Sequence, residues 1–141
     1  MQIPGYIRQS DELRDLGIDE VLVVAVNDGA VMRAWALDQK IEGSLLQLMG
    51  DPYGDFTRMC GMELTHPGPM EKGLVNRCKR FAMLVVNNIV QYVAVSESDS
   101  DPAGDADPEA TCAPAMIAAV KLLKGIGVAS EEASASASAS R

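Results

Sequence analysis

The run VLVVAV, residues 21–26, is continuously apolar and rich in β-branched side chains. Such a run predicts a strand that is covered on both faces, which requires helices on both sides of a sheet. Asn27 and Asp28 follow it directly and can cap the next segment, DGAVMRAWALDQK, as a helix. The apolar residues of that helix recur near the helical period at Val31, Ala34, Trp35 and Ile41. A strand that leads straight into a helix is a β/α unit, so we expect an α/β fold.

The rest of the chain continues this alternation of helices and strands. YIRQSDELRDLG predicts a first helix that stops at Gly17. SLLQLMGD predicts a short strand, and DFTRMCGMEL predicts a short helix after a DPYGD turn. FAMLVV and IVQYVAV, separated by two asparagines, are typical of a β-hairpin. Thr111 can cap a last helix, APAMIAAVKLLKGIG, which Gly125 or Gly127 would close.

The charge of the chain is unevenly placed. A net charge of −8 over 141 residues argues against a general nucleic-acid or anionic-membrane binder, because both need a positive field. Residues 96–109, SESDSDPAGDADPE, hold six carboxylates and no base, and we expect a solvated loop that is too polar to fold. This loop lacks the D-x-D-x-D-G pattern of a calcium-binding EF-hand. We expect one domain, residues 1–128, followed by a low-complexity Ala/Ser tail, residues 129–141.

The cysteines and the histidine give no sign of a metal site. Cys60, Cys78 and Cys112 are widely spaced without a CxxC pair, and His66 has no second histidine as a companion. We therefore expect no metal and no cofactor. No stretch approaches the ~18 consecutive apolar residues of a transmembrane helix. Few cysteines without a disulfide framework indicate a reducing compartment.

Four blocks of the sequence, between about Gln2 and about Val120, occur in an order that one family shares. They are PGYIRQSDELRDLGIDEVLVVAVNDGAVMRAW, GDPYGDF, NRCKRFAMLVVNNIVQYV and TCAPAMIAAV. Together they resemble the type 5 peroxiredoxins, the atypical two-cysteine branch of the thiol peroxidases. The resemblance implies a thioredoxin-like fold, a mixed sheet flanked by helices, that is incomplete at its N-terminus. The family occurs in cytosol, mitochondria, plastids and peroxisomes, and its connection corresponding to the acidic loop is usually shorter.

An arginine that directly precedes the apolar strand FAMLVV has two explanations. Arg80 can rest at the strand edge with its head in water, or it can face a site that handles an anion. The resemblance implies the second, because in such enzymes an arginine at the start of the KRF strand stabilises the peroxidatic thiolate and the developing oxyanion. We then expect the guanidinium to face the N-terminal end of the first helix, beside water, a carboxylate or a partner's anion. Cys112 matches the position of the family's resolving cysteine.

The peroxidatic cysteine of the resembling family is absent from its matching position. It would lie a few residues before the PGY segment, which here follows Met1 almost at once. Cys60 ends a stretch close to the family's PxxxTxxC motif, but DPYGDF already matches a later turn, so we expect Cys60 in a later helix. Cys78 lies between two basic residues, which can lower the pKa of a thiol. The family's residue there is apolar, so we expect a buried thiol instead.

Two functions follow from the resemblance. One is a thiol-dependent hydroperoxide reductase whose sequence is missing its N-terminal part, and which uses a hydroperoxide and a thiol reductant. The other is a degenerate peroxiredoxin-like domain without the nucleophile, which serves as a structural or interaction subunit of a larger assembly with protein partners. The second is our expectation for the chain as it stands.

The resemblance also predicts a gap in the sheet. In the family a central strand lies between the counterparts of VLVVAV and FAMLVV, and residues 1–20 read as a helix rather than as that strand. Unpaired backbone groups are costly when they are buried. We therefore expect the two strands to pair directly in an isolated chain, or another polypeptide to donate a strand.

Overall fold

A computed structural model describes residues 2–126, in which helices and short strands alternate along the chain. The elements are α1 (Gln2–Arg8), α2 (Ser10–Asp15), β1 (Val21–Ala25), α3 (Gly29–Gln39), β2 (Leu46–Gly50), α4 (Asp55–Met59), α5 (Pro67–Glu71), β3 (Phe81–Val86), β4 (Ile89–Val95), a 3-10 turn (Glu109–Thr111) and α6 (Ala113–Leu123). Gly127 and the predicted tail, residues 129–141, lie outside the described residues. Among residues 2–126, no helix has the length and apolar character needed to cross a membrane.

The predicted β/α unit is present as β1, α3 and β2. The two strands are parallel, with Val21 opposite Leu46 at one end. The carboxylate of Asp28 accepts a hydrogen bond from the backbone N of Val31 at 2.9 Å, so it caps α3 as predicted. Gly50 at the end of β2 has no room for a side chain, because a Cβ there would lie 2.5 Å from the carbonyl oxygen of Asn27.

Two details of this unit differ from the prediction. The buried residue of α3 is Met32, at 2% exposure, whereas Val31 and Trp35 of the predicted apolar face are both exposed. Leu22 of β1 is 51% exposed, so this strand is not covered on both faces within the described residues. Both errors have one cause, because apolar periodicity shows which residues are apolar but not which surface packs against them.

The predicted hairpin is confirmed as β3 and β4. The strands are antiparallel, from Phe81 opposite Val95 to Val86 opposite Ile89. Asn87 and Asn88 connect them with φ angles of 50° and 62°, the left-handed conformation that tight hairpin turns require.

The first and last helices form the core that joins these units. The predicted first helix is divided into α1 and α2 and ends before Gly17, which has a φ of 78°. The buried cluster comprises Leu13, Leu16, Ile117 and Val120. Val21 of β1 and Leu84 of β3 both pack against this cluster, so the two strand pairs share one core.

The two strand pairs nevertheless remain separate sheets. Within residues 2–126, β1 pairs with β2 and β3 pairs with β4, and no strand forms in residues 2–20. The expectation that β1 and β3 pair directly is therefore wrong. Each of these strands keeps one edge without a strand partner in the described part of the chain.

The predicted start of the last helix needs correction. Thr111 does not cap α6, because Cys112 holds the cap position and Thr111 lies in the preceding 3-10 turn. Gly125, with a φ of 68°, follows the end of α6 as predicted. His66 lies in the loop before α5 and caps this helix, because its Nδ1 accepts a hydrogen bond from the backbone N of Gly68 at 3.1 Å.

Candidate functional site

Arg80 lies immediately before β3 and is fixed by its backbone at the end of the hairpin. Its carbonyl oxygen accepts a hydrogen bond from the backbone N of Ser96 at 2.9 Å. The side chain leaves the sheet and is 30% exposed. Nη1 donates to Oε1 of Gln2 at 2.9 Å, and Nη2 donates to Oδ1 of Asp105 at 2.5 Å. The guanidinium therefore faces the start of α1 and is accompanied by a carboxylate, and both of these expectations are confirmed.

The third guanidinium nitrogen of Arg80, Nε, has no acceptor among the described residues. Its Nε is buried and forms no hydrogen bond within the described residues. Buried donors in proteins are almost always paired, and an unpaired one is a common mark of a site that takes a ligand or water. Arg80 is thus held in place by two groups, and its Nε–H is available to a third.

Gln2 connects Arg80 to the segment before α6. Its Nε2 donates to the carbonyl oxygen of Thr111 at 3.1 Å and to Oγ1 of Thr111 at 2.7 Å. Because the amide nitrogen of Gln2 donates to Thr111, the amide oxygen points toward Arg80. The orientation of Gln2 is therefore set by the contacts at both of its ends.

Thr111 is fully buried and organises the polar groups around it. Its hydroxyl donates to the carbonyl oxygen of Pro108 at 3.0 Å and accepts the bond from Gln2. The hydroxyl of Ser96 lies 3.2 Å away, and since the proton of Thr111 is already committed to Pro108, Ser96 is the donor in this pair. Thr111 therefore ties α1, the end of β4 and the start of α6 to one another.

Cys112 adjoins this network. Its Sγ donates to the carbonyl oxygen of Pro108 at 3.3 Å, and the residue is half-buried. The hydroxyl of Tyr6 donates to the carbonyl oxygen of Thr111 at 2.9 Å. Burial, together with the charge of the nearby Cys112, raises the pKa of Tyr6 to about 12. The structure thus brings Arg80 and Cys112 into one network through Gln2 and Thr111.

The acidic loop, residues 96–109, is folded rather than freely solvated, which corrects the prediction. Asp101 accepts hydrogen bonds from the backbone N atoms of Asp105, Ala106 and Asp107 at 3.1, 2.9 and 3.3 Å. Desolvation acts to raise the pKa of the Asp101 carboxyl, but these amide bonds outweigh it and hold the pKa below its usual value. Asp101 thereby fixes the backbone of residues 105–107, which the composition of the loop does not predict.

The loop is also anchored to the end of β4. Gly104 has a φ of 68°, and a Cβ at this position would lie 1.9 Å from the carbonyl oxygen of Ser96. Only glycine permits this approach. Asp105 follows directly, so the anchored turn delivers its carboxylate to Arg80.

The other two cysteines occupy other places. Cys60 follows the end of α4, and Cys78 lies opposite Glu63 in a short antiparallel bridge. Both are half-buried free thiols, so the expectation that Cys78 is a buried thiol is wrong. Within the described residues, the acceptors of Arg80 are Gln2 and Asp105 rather than either sulfur. In the same part of the chain, no group of three potential metal ligands comes together.

Three residues of this site are not identified by their sequence pattern. Gln2 belongs to no motif, the position of Thr111 predicts a helix cap, and Asp105 is one of several carboxylates in a loop expected to be solvated. The Gly-Asp pair in the acidic loop was the available signal, because glycine before an acidic residue suggests a turn.

A family model described as Redoxin matches residues 1–110. The chain belongs to the Redoxin family. Arg80 lies within the matched stretch of this redoxin, and Cys112 lies two residues beyond its end.

Curated and solved relatives agree with this membership. Peroxiredoxin-2C of Oryza sativa subsp. japonica is 38% identical over 95 residues, which cover 67% of this chain and 56% of the relative. The crystal structure of reduced Prx3 in complex with H2O2 from Vibrio vulnificus has a TM-score of 0.69 at 30% identity, covering 85% of this chain and 66% of that one. Peroxiredoxin 5 from Alvinella pompejana has a TM-score of 0.64 at 28% identity, covering 85% and 68%.

These likenesses confirm the predicted thioredoxin-like redoxin fold and the resemblance to type 5 peroxiredoxins. The redoxin spans about half the length of the curated relatives it matches, between 50 and 58% for the first three. The roles of Arg80 and Cys112 stay predictions.

Proposed function

We propose that this redoxin serves in thiol-dependent hydroperoxide reduction, with Arg80 as the residue that stabilises the reacting thiolate and the departing oxygen. The proposal rests on the hydrogen bonding of the Arg80 side chain. It is held by Gln2 and Asp105 and has a buried Nε without an acceptor. The structure of a relative named as a complex with H2O2 adds support from the family.

The chemistry that such a site supports has two steps. A thiolate attacks one oxygen of the hydroperoxide, an S–O bond forms, the O–O bond breaks, and the departing oxygen takes up a proton to leave as an alcohol or water. Negative charge moves from sulfur to the departing oxygen in this step, and a fixed guanidinium stabilises that charge without reorganising. The sulfur ends as a sulfenic acid.

Cys112 is proposed to act in the second step. Its thiol attacks the sulfenic sulfur, a disulfide forms, and water leaves. Two external thiol groups then reduce the disulfide by exchange, through a mixed disulfide, and leave joined as a disulfide themselves, which returns both protein sulfurs to the thiol state. The half-buried position of Cys112 at the start of α6, linked to Arg80 through Thr111 and Gln2, supports this role.

The attacking thiolate is not assigned to any cysteine of the described residues. The resemblance places it a few residues before the PGY segment, toward the N-terminal end of α1, where Gln2 lies. Cys60, Cys78 and Cys112 all lie elsewhere in the chain. The effect of Arg80 on a nearby thiol can therefore be tested directly with a cysteine introduced at residue 2.

The test is the Gln2→Cys variant. A cation within ~4–6 Å lowers the pKa of a thiol, so we expect the new thiol to have a pKa well below the ~8.5 of free cysteine. Thiolate absorbance against pH gives this value, and the rate of thiol loss with H2O2 gives the reactivity. The matched control is Gln2→Cys with Arg80→Met, which keeps the thiol and removes the cation. Equal pKa values and rates in the two variants would refute the role proposed for Arg80.

A second candidate function is that of an interaction subunit in a larger assembly. The observation that favours it is the pair of strands β1 and β3, each with one unpaired edge over a shared core. An exposed strand edge is a template for pairing with another polypeptide. The hairpin of β3 and β4 also carries exposed apolar residues, namely Val85, Val86, Ile89, Val90, Tyr92 and Val93.

Hydrogen exchange tests this second function, because it reports whether the edges of β1 and β3 are unpaired. We expect the amides of residues 21–25 and 81–86 that point away from β2 and β4 to exchange fast in the purified monomer and slowly in any larger assembly isolated by size. If both segments are already protected in the monomer as strongly as the helix α6, the edges are not available and the second candidate fails.

A further inference from the structure

Arg80 is already paired with an anion that belongs to its own chain. Oδ1 of Asp105 lies 2.5 Å from Nη2 of Arg80, whereas the other partner, Gln2, is neutral. Asp105 is 74% exposed and Arg80 30% exposed. An ion pair this exposed adds little to the stability of a fold, so stability alone does not account for it.

The position of Asp105 is built into the loop. Its backbone N donates to Asp101, and the residue before it, Gly104, lies so close to Ser96 that no side chain fits there. Backbone hydrogen bonds of 3.1 Å between Ser98 and Asp101, in both directions, close the turn that precedes it. The carboxylate reaches Arg80 from a fixed backbone rather than from a free chain end.

We propose that Asp105 is a specificity-determining residue that competes with external anions for Arg80. The inference rests on the proposed function and deepens it. Because Asp105 offsets part of its charge, Arg80 presents a buried Nε donor and a reduced positive charge to a ligand. The site therefore favours uncharged hydroperoxides, which accept a hydrogen bond, over ligands that carry a carboxylate or phosphate and must displace Asp105 first.

The test measures the affinity of Arg80 for inorganic phosphate. The Nε–Hε signal of Arg80, assigned by its loss in Arg80→Lys, is followed by NMR as phosphate is added to the full chain. We expect Asp105→Asn to bind phosphate about fivefold more tightly than the unchanged protein, the factor that corresponds to one exposed ion pair. Asp105→Glu keeps the charge and is expected to restore the weak binding.

Asp99→Asn is the matched control. It removes the same charge from the same loop, and Asp99 takes no part in the Arg80 contacts of the described residues. We expect its phosphate affinity to stay within about twofold of the unchanged protein, because a screened charge without contact acts weakly. Equal gains in phosphate affinity in Asp105→Asn and Asp99→Asn would overturn the inference, because the gain would then follow from the net charge of the loop and not from the contact with Arg80. No change in Asp105→Asn would overturn it as well.

Failure here is distinct from failure of the proposed function. If Arg80 still lowers the pKa of a thiol introduced at residue 2 while Asp105→Asn leaves phosphate binding unchanged, the role of Arg80 stands and that of Asp105 is refuted. If the introduced thiol is unaffected by Arg80, the proposed function fails whatever phosphate does.

Discussion

Arg80 and Gln2 are 78 positions apart in the chain and meet through one hydrogen bond of 2.9 Å. The hairpin fixes one of them, and the buried Thr111 fixes the other by accepting from the Gln2 amide. The guanidinium is consequently held on two sides before any ligand arrives. Such preorganisation is what stabilisation of a transient charge requires, because a donor already in place does not have to be reoriented.

Residues 1–141 alone are expected to reduce H2O2 no faster than a buffer control. The physical reason is that the described cysteines do not lie on Arg80, so the guanidinium has no thiolate to stabilise. A single-turnover assay with reduced protein, counting thiols as peroxide is consumed, measures this directly. Rapid loss of one thiol that disappears in Cys60→Ser or Cys78→Ser would contradict the prediction and assign the nucleophile to that residue.

Thr111→Val is expected to lower the free energy of unfolding by about 1–3 kcal/mol, the usual result of leaving buried polar partners unpaired. The hydroxyl of Thr111 receives bonds from Gln2 and Ser96, and valine removes the acceptor for both while keeping the shape. Urea denaturation provides the measurement. Thr65→Val, at an exposed threonine, is the control and should change the value little. Equal effects of the two variants would show that the network around Thr111 does not stabilise the fold.

Local signals were sufficient for much of the fold. The cap at Asp28 and the two asparagines of the hairpin act within a few residues, and both elements formed where the sequence predicted them. The direction of Arg80 came from the family resemblance, because nothing near it in the chain points to Gln2. These parts depend on short-range chemistry or on a pattern shared with relatives.

Other parts of the site depend on contacts that no local pattern encodes. Thr111 reads as a helix cap, and its actual role follows from Gln2, 109 positions away. Asp105 reads as one acid among several, and its pairing with Arg80 spans 25 positions. In α3, Met32 rather than Trp35 is the buried residue, because packing and not periodicity selects which face of the helix is buried. Long-range placement is the information that the sequence alone did not supply.

Gly104→Ala is expected to displace the acidic loop and separate Asp105 from Arg80. Alanine at a φ of 68° costs roughly 1–2 kcal/mol by itself. The added Cβ would also overlap the carbonyl of Ser96 at 1.9 Å, which forces the turn away. The Arg80 Nε–Hε signal in NMR reports the separation.

Gly61→Ala separates the two causes. Gly61 has a φ of 67°, but nothing lies within 4 Å of a Cβ there, so only the conformational cost applies. We expect Gly104→Ala to be the more destabilising variant and the only one of the two that shifts the Arg80 signal. A shift of the same size in both would show that the contact with Ser96 does not position Asp105.

Deprotonation of Tyr6 is expected to lower the free energy of unfolding at high pH. Its pKa in the folded protein is raised to about 12, chiefly by burial, whereas an unfolded tyrosine titrates near ~10. The folded state therefore holds the proton more tightly than the unfolded state. The resulting stabilisation is complete below pH ~10 and is lost as the pH rises from there to about 12.

Urea denaturation between pH 9 and 12 tests this, with Tyr6→Phe compared against Tyr53→Phe. Tyr53 is 81% exposed, so its removal should leave the alkaline loss of stability as it is. Tyr6→Phe should be less stable near neutral pH, because it lacks the hydrogen bond to Thr111, yet should lose less stability above pH ~10. A spectroscopic titration should show the tyrosinate phase near 12 disappear in that variant alone. If Tyr6→Phe and Tyr53→Phe lose stability in parallel, the hydroxyl of Tyr6 is not held against Thr111 and the network beside Cys112 is drawn wrongly.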